Sequence, residues 1–328
     1  MRTNNILHFI VILIGFSIFA STVSAQEVER LLQWEMTTQS RFYYPGESVS
    51  LRIQITNPSD RDAELWFGSD GIGAFRFLIK DSKGNILQQS KNIERDGIQR
   101  HGFLEIPAHQ SQVKHIVLNQ WCSTLLPSAQ YVIVCVVSPY YVPFEPASEI
   151  SEPTKAQRLP EIALDCHLEV VDMEVDSFIQ NLQELMSGAV KPVRTLNESN
   201  ERILAQEMIA FTESELAVPY QLKILPVAQS TWTRRDIIHS LTLHASPQAA
   251  KGLVEFYENP KLRKVDINND VIEAVYKMRE SNDAEILSLT EDFVTKHKRP
   301  PIPTDRKLNG NGNTGDSPIK VTEEQIKR

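Results

Sequence analysis

The sequence predicts a multidomain chain in which an all-β part is followed by an all-α part. From residue 27 to about residue 171, apolar and polar residues alternate with a period of two, which is typical of half-buried strands. After residue 171 the apolar period changes to 3.6, which is typical of amphipathic helices. The chain has 328 residues, 41% hydrophobic and 23% charged, so it is long enough for two cores in a water-soluble protein.

The first 25 residues are predicted to be a signal peptide that is cleaved after Ala25. Arg2 gives the segment a positive start, residues 6–19 form an apolar run, and Val23 and Ala25 are small residues where a signal peptidase reads them. The run is shorter than the roughly 20 residues of a membrane span, which disfavours an uncleaved anchor. We therefore expect a secreted or periplasmic protein with no membrane span after leader cleavage.

Residues 26–172 are predicted to form an antiparallel β-sandwich of short strands. Four sets of alternating apolar residues indicate core-facing strands: Val49, Leu51, Ile53 and Ile55; Ala63, Leu65 and Phe67; Phe75, Phe77 and Ile79; Ile116 and Leu118. Polar turns separate these strands, which favours an antiparallel sandwich over a parallel sheet. Gly84, in the loop 81–85, is expected to supply the positive φ of a hairpin turn.

The segment 131–137, YVIVCVV, predicts a strand that is buried on both faces. Its inner face comprises Tyr131, Ile133, Cys135 and Val137, and its outer face comprises Val132, Val134 and Val136. Burial contributes about 1.5–3 kcal/mol per valine, so we expect a cover over the outer face. The two candidates are the proline- and aromatic-rich segment 138–161 and the helices downstream. Residues 162–171 are expected to form the antiparallel neighbour of this strand.

The order of these features resembles that of the immunoglobulin-like sandwich modules of exported bacterial proteins. It runs from YYPGESVSLRIQITN through FLEIPAHQ and IVLNQW to YVIVCVV. The resemblance covers residues 32–171 and implies a fold without an activity, because adhesins, inhibitors, transport accessories and structural spacers all share such features. The tryptophan and disulfide pattern of antibody domains does not occur in recognisable spacing.

Residues 173–299 are predicted to form an α-helical domain. Gly188 is expected to end the first helix, and Thr195 with Glu198 has the spacing of a capping box. Ser246 is expected to cap a helix that begins with proline, and Asn282 to begin the last helix. Together with the apolar stripes between them, these signals predict several short helices in succession.

The helical part contains spacings that indicate an internal repeat. Residues 235–238 and 269–272 match at an offset of 34, Ser246 and Asn282 at 36, and residues 256–257 and 293–294 at 37. Residues 195–228 are a candidate for a third, more degenerate pair. Helix pairs at this spacing resemble a short HEAT-type array. An irregular bundle is the alternative, and the sequence leaves the choice open.

Three cysteines follow the leader: Cys122, Cys135 and Cys166. Because the number is odd, at most one pair is bonded and one thiol remains. Cys135 and Cys166 share the inward phase of two neighbouring strands, which makes them a candidate disulfide in an oxidising compartment. Buried free thiols are the alternative, and the sequence does not decide between them.

No catalytic residue, cofactor site or metal site is expected in this chain. The glycine-rich stretch 68–73 lacks the strand-to-helix context of a phosphate loop. The histidines match no metal signature: His101, His109, His115, His239 and His244. Residues 300–328 are predicted to be a disordered tail. Its alternating asparagines suggest a calcium loop, but Thr314 and Lys320 occupy the positions that need glycine and glutamate.

The function expected from these features is that of an exported, non-enzymatic scaffold or interaction protein with a protein partner. The formal net charge of −8 disfavours nucleic acid as a ligand. The alternative is an inhibitor or accessory subunit of an exported protease or other hydrolase, acting through residues 138–161. A third hypothesis, a hydrolase with its site between the two parts, requires converging carboxylates or histidines.

Overall fold

The computed structural model describes residues 32–67, 73–90, 103–141 and 157–299. Within these ranges the chain forms eleven β-strands and then seven α-helices, so the predicted order of an all-β part and an all-α part is confirmed. We call the described residues up to 172 the β-region and residues 173–299 the helical region. The predicted leader and tail lie outside the described residues. No helix among the described residues is long and apolar enough to cross a membrane.

The strands of the β-region assemble into three antiparallel sheets. Their bounds are β1 (Gln33–Thr38), β2 (Ser50–Thr56), β3 (Ala63–Trp66), β4 (Phe75–Asp81), β5 (Ile86–Gln89), β6 (Phe103–Ile106), β7 (Ser111–Val117), β8 (Ala129–Val137), β9 (Tyr140–Tyr141), β10 (Gln157–Arg158) and β11 (Ile162–Val170). The sheet orders are β1-β2-β7, β11-β8-β4-β5 and β10-β9-β3-β6. In the third sheet β3 pairs with both β6 and β9.

The inner faces of the three sheets share one apolar cluster. All four sets of alternating residues predicted to face the core belong to it, and Trp121 packs there as well. Strand β2 shows why the prediction succeeds, because Leu51, Ile53 and Ile55 are fully buried while the residues between them are partly exposed. Gly84 adopts the predicted positive φ, 84°, in the turn between β4 and β5.

Strand β8 lies between β4 and β11, and both pairings are antiparallel as predicted for β11. Its inner face belongs to the shared cluster. On its outer face Val134 and Val136 are buried and Val132 is half-buried. The apolar clusters of the helical region include none of these three valines. The other predicted cover falls largely on residues 142–156, outside the described ranges.

The helical region consists of seven helices joined by short turns. Their bounds are α1 (Val175–Val190), α2 (Leu196–Ala210), α3 (Val218–Ile224), α4 (Thr231–His244), α5 (Pro247–Glu258), α6 (Asn268–Arg279) and α7 (Ala284–Lys296). The predicted capping box of Thr195 and Glu198 is present at the start of α2. Ser246 caps α5, whose first residue is Pro247, also as predicted.

Two predicted helix boundaries are wrong. Gly188 does not end α1, which continues to Val190. A β-carbon at Gly188 would lie 3.5 Å from the Ala205 side chain of α2, which is an ordinary van der Waals distance, so the packing of the two helices does not require glycine there. Asn282 does not begin the last helix. It adopts a left-handed φ of 57° after α6, and the carboxylate of Asp283 caps α7 instead.

Each helix from α1 to α5 packs against the helix two positions later in the chain. Helices α2, α4 and α6 lie side by side, and so do α1, α3, α5 and α7. The segments matched at an offset of 34 are therefore on adjacent helices, α4 and the start of α6. Arg234 and Arg235 of α4 reach Asp266 and Asp270 at 2.6 and 3.1 Å, which links these two helices at their N-terminal ends.

Candidate interaction site

The β-region and the helical region meet at the turn 44–47. The Gly46 N–H donates to the Thr124 carbonyl at 2.9 Å, and the Gly46 carbonyl accepts from the Glu213 N–H at 2.8 Å. Glu47 accepts from the Tyr44 N–H with one carboxylate oxygen and from the Asn181 side chain of α1 with the other. Burial raises the pKa of Glu47, while these hydrogen bonds act in the opposite direction. The carboxylate thus bridges the two regions.

A second carboxylate repeats this bridge from the helical side. One oxygen of Glu213 accepts from the Ser123 hydroxyl at 2.9 Å and from the Thr124 N–H at 2.7 Å. Glu47 and Glu213 thus each accept hydrogen bonds from the opposite region across this contact. We call this contact the junction.

An apolar cluster completes the junction. Tyr44 of the β-region packs with Phe178, Leu182 and Ala217 of the helical region. The Tyr44 and Phe178 rings meet edge to face, with centroids 6.0 Å apart. All four residues are buried, so separating the two regions would expose apolar surface to water.

All three cysteines are buried, and none of them forms a disulfide in this structure. Cys166 lies opposite Ile133, and Cys135 lies opposite Leu164. The two cysteines are therefore diagonal neighbours, whose Cα atoms lie about 7–8 Å apart, beyond the usual reach of a disulfide. A bond would require β8 and β11 to shift. The Cys135–Cys166 disulfide remains a prediction, which thiol titration can test.

Thiol titration decides between the disulfide and free thiols. Burial raises the pKa of Cys166 to about 12 and that of Cys135 well above its usual value, so both thiols stay protonated and unreactive at mildly alkaline pH. If all three thiols are free, the denatured, unreduced protein should release three equivalents against a disulfide reagent, and the native protein almost none. A Cys135–Cys166 bond would leave one equivalent after denaturation.

The structure does not assemble the histidines into a metal site. His109 contacts the Asp60 carboxylate at 2.8 Å on the surface, and His239 is exposed on α4. His244 ends α4, where burial lowers its pKa. No group of three or more potential ligands among histidine, cysteine, aspartate and glutamate occurs in the described part of the chain. His101 and the stretch 68–72 fall outside that part.

A row of aromatic rings crosses the outer face of the third sheet. Trp66 of β3 lies directly opposite Phe103 of β6 on one side and Tyr140 of β9 on the other. The centroid distances from the Trp66 ring are 6.4 Å and 5.3 Å. Arg158 of β10 continues the row beyond Tyr140. The adjacent Leu65 is fully buried in the core, which places these four side chains on the opposite face. We call them the aromatic row.

Two carboxylates lie beside the aromatic row on the same face. Glu64 and Glu105 are directly opposite each other, two residues before Trp66 and two after Phe103. Burial and the nearby Glu105 raise the pKa of Glu64. Among the described residues no cation forms an ion pair with either carboxylate, although Arg158 pairs with Glu161 at the other end of the row. Sequence reasoning missed this site, because its members come from four separate strands.

Comparisons with known proteins yield solved structures of low similarity. No family model and no curated protein matches it. One solved structure with some likeness is the C-terminal domain of wzt, at 10% identity, covering 44% of this chain and 75% of that one, with a TM-score of 0.24. Spo0M, a sporulation control protein from Bacillus subtilis, has 9% identity, coverage of 48% and 55%, and a TM-score of 0.22. Scores this low carry no argument about fold or function.

Proposed function

We propose that this protein is an exported, non-enzymatic interaction protein that binds a protein partner. The aromatic row is the observation that carries this proposal. Phe103 is 42% exposed and Trp66 and Tyr140 are half-buried, on a sheet face where polar residues are the rule. Aromatic side chains are enriched at protein interfaces because they bury a large area at small entropic cost. The predicted signal peptide supports export.

The fold proposed for this function is an immunoglobulin-like sandwich joined to a HEAT-like array. Antiparallel sheets around one core support the first assignment. The alternating packing of α2, α4 and α6 and of α1, α3, α5 and α7 supports the second, since each repeat of such an array leans on the next. The junction then holds both parts so that they present one surface to the partner.

The test is capture of a partner from the exported fraction of the source cells, followed by measurement of its affinity as a purified protein. The double variant Trp66→Ala/Phe103→Ala should weaken binding by about tenfold or more, because hot spots at interfaces are aromatic. The control is Leu196→Ala/Val265→Ala, which removes two exposed apolar side chains, 77% and 85% exposed, from the helical region. Equal weakening by both variants, or catalytic turnover without any partner, would contradict the proposal.

One observation favours the alternative of a hydrolase inhibitor or accessory subunit. Tyr141 and Gln157, which flank residues 142–156, are paired with each other across β9 and β10. A segment anchored at both ends by a strand pair suits insertion into an enzyme cleft. If the captured partner is a hydrolase, deletion of residues 142–156 should abolish its inhibition while the β-region stays folded.

A further inference from the structure

The acidic pair and the aromatic row lie within reach of one long side chain. Glu64 and Trp66 are two residues apart on β3, and Glu105 and Phe103 are two apart on β6. At about 3.3 Å of rise per residue, roughly 7 Å separates the carboxylate pair from the ring pair along the strands. A lysine or arginine side chain spans such a distance. One such residue can therefore contact a ring and a carboxylate together.

The outer face of β3 and β6 carries only negative groups among the described residues, namely two carboxylates and the faces of two aromatic rings. Carboxylates directly opposite each other across an antiparallel pair repel and destabilise the sheet. The raised pKa of Glu64 reflects burial and this repulsion. Aromatic faces also carry negative charge density, which attracts cations. Since no described cation pairs with Glu64 or Glu105, the arrangement costs stability that a bound cation would restore.

The positive end of the row is separated from the acidic pair. Arg158 lies beyond Tyr140, two strands away from Glu64, and its guanidinium is 3.6 Å from a Glu161 carboxylate oxygen. Arg76 also contacts that carboxylate. Glu161 thus forms ion pairs with both arginines, near the end of the row at β10. The other end of the row, formed by β3 and β6, keeps its negative charge.

We propose that the β3 and β6 end of the aromatic row binds a lysine or arginine side chain from a basic segment of a partner protein. The aliphatic stem lies over the Trp66 ring, and the cationic head lies between the Glu64 and Glu105 carboxylates. This inference rests on the proposed function and names the chemistry of the partner at that site. Charge complementarity selects this occupant.

A basic side chain matches both parts of the site. Lysine and arginine bury their stems on apolar surfaces while the head remains available to carboxylates. The cation is attracted by the ring face and relieves the repulsion between the two glutamates. A neutral sugar could stack on Trp66, but it would leave that repulsion in place. An acidic segment would increase it.

The experiment is a calorimetric titration of the purified full chain with hexalysine, with hexaglutamate and a neutral hexasaccharide as comparison probes. Hexalysine is expected to bind with saturation, and the other two probes are not. The variant Glu64→Gln/Glu105→Gln should weaken hexalysine binding about tenfold, the equivalent of 1.4 kcal/mol. Trp66→Ala should weaken it as well, and Trp66→Phe should retain most of the affinity because a ring face remains.

A matched control separates this site from general attraction to an acidic protein. Glu201→Gln/Glu285→Gln removes the same two charges from exposed positions of the helical region and should leave the affinity unchanged. The unfolding temperature of Glu64→Gln/Glu105→Gln should equal or exceed that of the wild type, because the variant removes a repulsion. Weakened binding in a protein at least as stable cannot arise from unfolding.

Three results would overturn the inference. The first is an equal loss of affinity in the control variant, since the overall charge of −8 would then explain the binding. The second is hexasaccharide binding that needs Trp66 but neither glutamate. The third is hexalysine binding that tightens more when Lys91, Arg95 and Arg100 are changed to glutamine than when the exposed Lys251, Lys261 and Lys298 are, because the occupant would then be the chain itself.

The inference and the proposed function fail in different ways. A captured partner that binds through Trp66 and Phe103, together with no hexalysine binding, would sink the inference and leave the function standing. Hexalysine binding that depends on Glu64 and Glu105, together with no partner in the exported fraction, would support the site and count against the function.

Discussion

Replacing Phe178 with alanine is expected to lower the free energy of unfolding by about 3–5 kcal/mol, as for other buried phenylalanines. The side chain is fully buried and packs on Tyr44, Leu182 and Ala217, so truncation leaves a cavity at the junction. Urea unfolding followed by far-UV circular dichroism and by tryptophan fluorescence measures the loss. Three of the four tryptophans lie in the β-region, so fluorescence reports mainly that part and dichroism mainly the helices.

In the Phe178→Ala variant, the unfolding transitions followed by dichroism and by fluorescence should also have different urea midpoints. With an intact junction, the regions support each other and the two transitions are expected to coincide. Phe103→Ala is the matched control, because Phe103 is 42% exposed and its loss should cost less than about 1 kcal/mol. Similar losses in the two variants, or coincident transitions in Phe178→Ala at reduced stability, would show that the junction does not couple the regions.

Replacing Gly46 with alanine is expected to destabilise the protein for two reasons. Gly46 has a φ of 78°, a left-handed conformation that costs other residues about 1–2 kcal/mol. An added β-carbon would also lie 2.9 Å from the Leu125 side chain and 3.4 Å from the Ser214 nitrogen. The second cost arises at the junction, and the same urea titration measures the sum.

Gly84→Ala isolates the backbone cost, because Gly84 has a φ of 84° and no atom lies within 4 Å of its added β-carbon. The stability lost by Gly46→Ala beyond that of Gly84→Ala therefore measures the crowding around Gly46, by Leu125 of the β-region and by the backbone of Glu213 and Ser214 of the helical region. Adding Leu125→Ala to Gly46→Ala should recover part of this difference, since Leu125 is 61% exposed and contributes little alone. Equal losses of stability in the two glycine variants would mean that the residues around Gly46 shift to accommodate the added β-carbon at no measurable cost.

The elements that local patterns determine were predictable from the sequence. Alternation on β2 places Leu51, Ile53 and Ile55 in the core whatever the partner strand is, since successive side chains point to opposite faces. The capping box of Thr195 and Glu198 is equally local, because its hydrogen bonds join residues three apart. Such signals need no knowledge of the tertiary structure.

The two wrong boundaries arise where a local signal fits more than one position. Glycine commonly ends helices because it adopts positive φ, but it also tolerates helical backbone, and Gly188 stays inside α1, where an added β-carbon would make only an ordinary contact with Ala205 of α2. Asparagine favours both helix caps and left-handed turn positions, and Asn282 takes the left-handed position while the next residue, Asp283, caps α7. In both cases the residue type marked the end of a helix approximately and did not fix the exact residue.

The junction and the aromatic row were not predictable because both depend on strand register and on contacts between distant residues. Asn181 and Glu47 are 134 residues apart in sequence, and nothing local pairs them. Trp66, Phe103 and Tyr140 come together only because β3 pairs with β6 and β9 in one register. A one-residue slip of β6 would move Phe103 to the core face. The outward phase of aromatic residues on short strands was the available signal.

The position of Tyr44 has a consequence for the order in which the chain assembles. Synthesis proceeds from the N-terminus, so the β-region is complete before α1 emerges. The turn 44–47 then offers a formed apolar site to the first helix, through Phe178 and Leu182. From α3 onwards, each helix packs against a helix that is synthesised two positions earlier. The β-region therefore provides the surface on which α1 packs, and the later helices can pack on the earlier ones in the order of their synthesis.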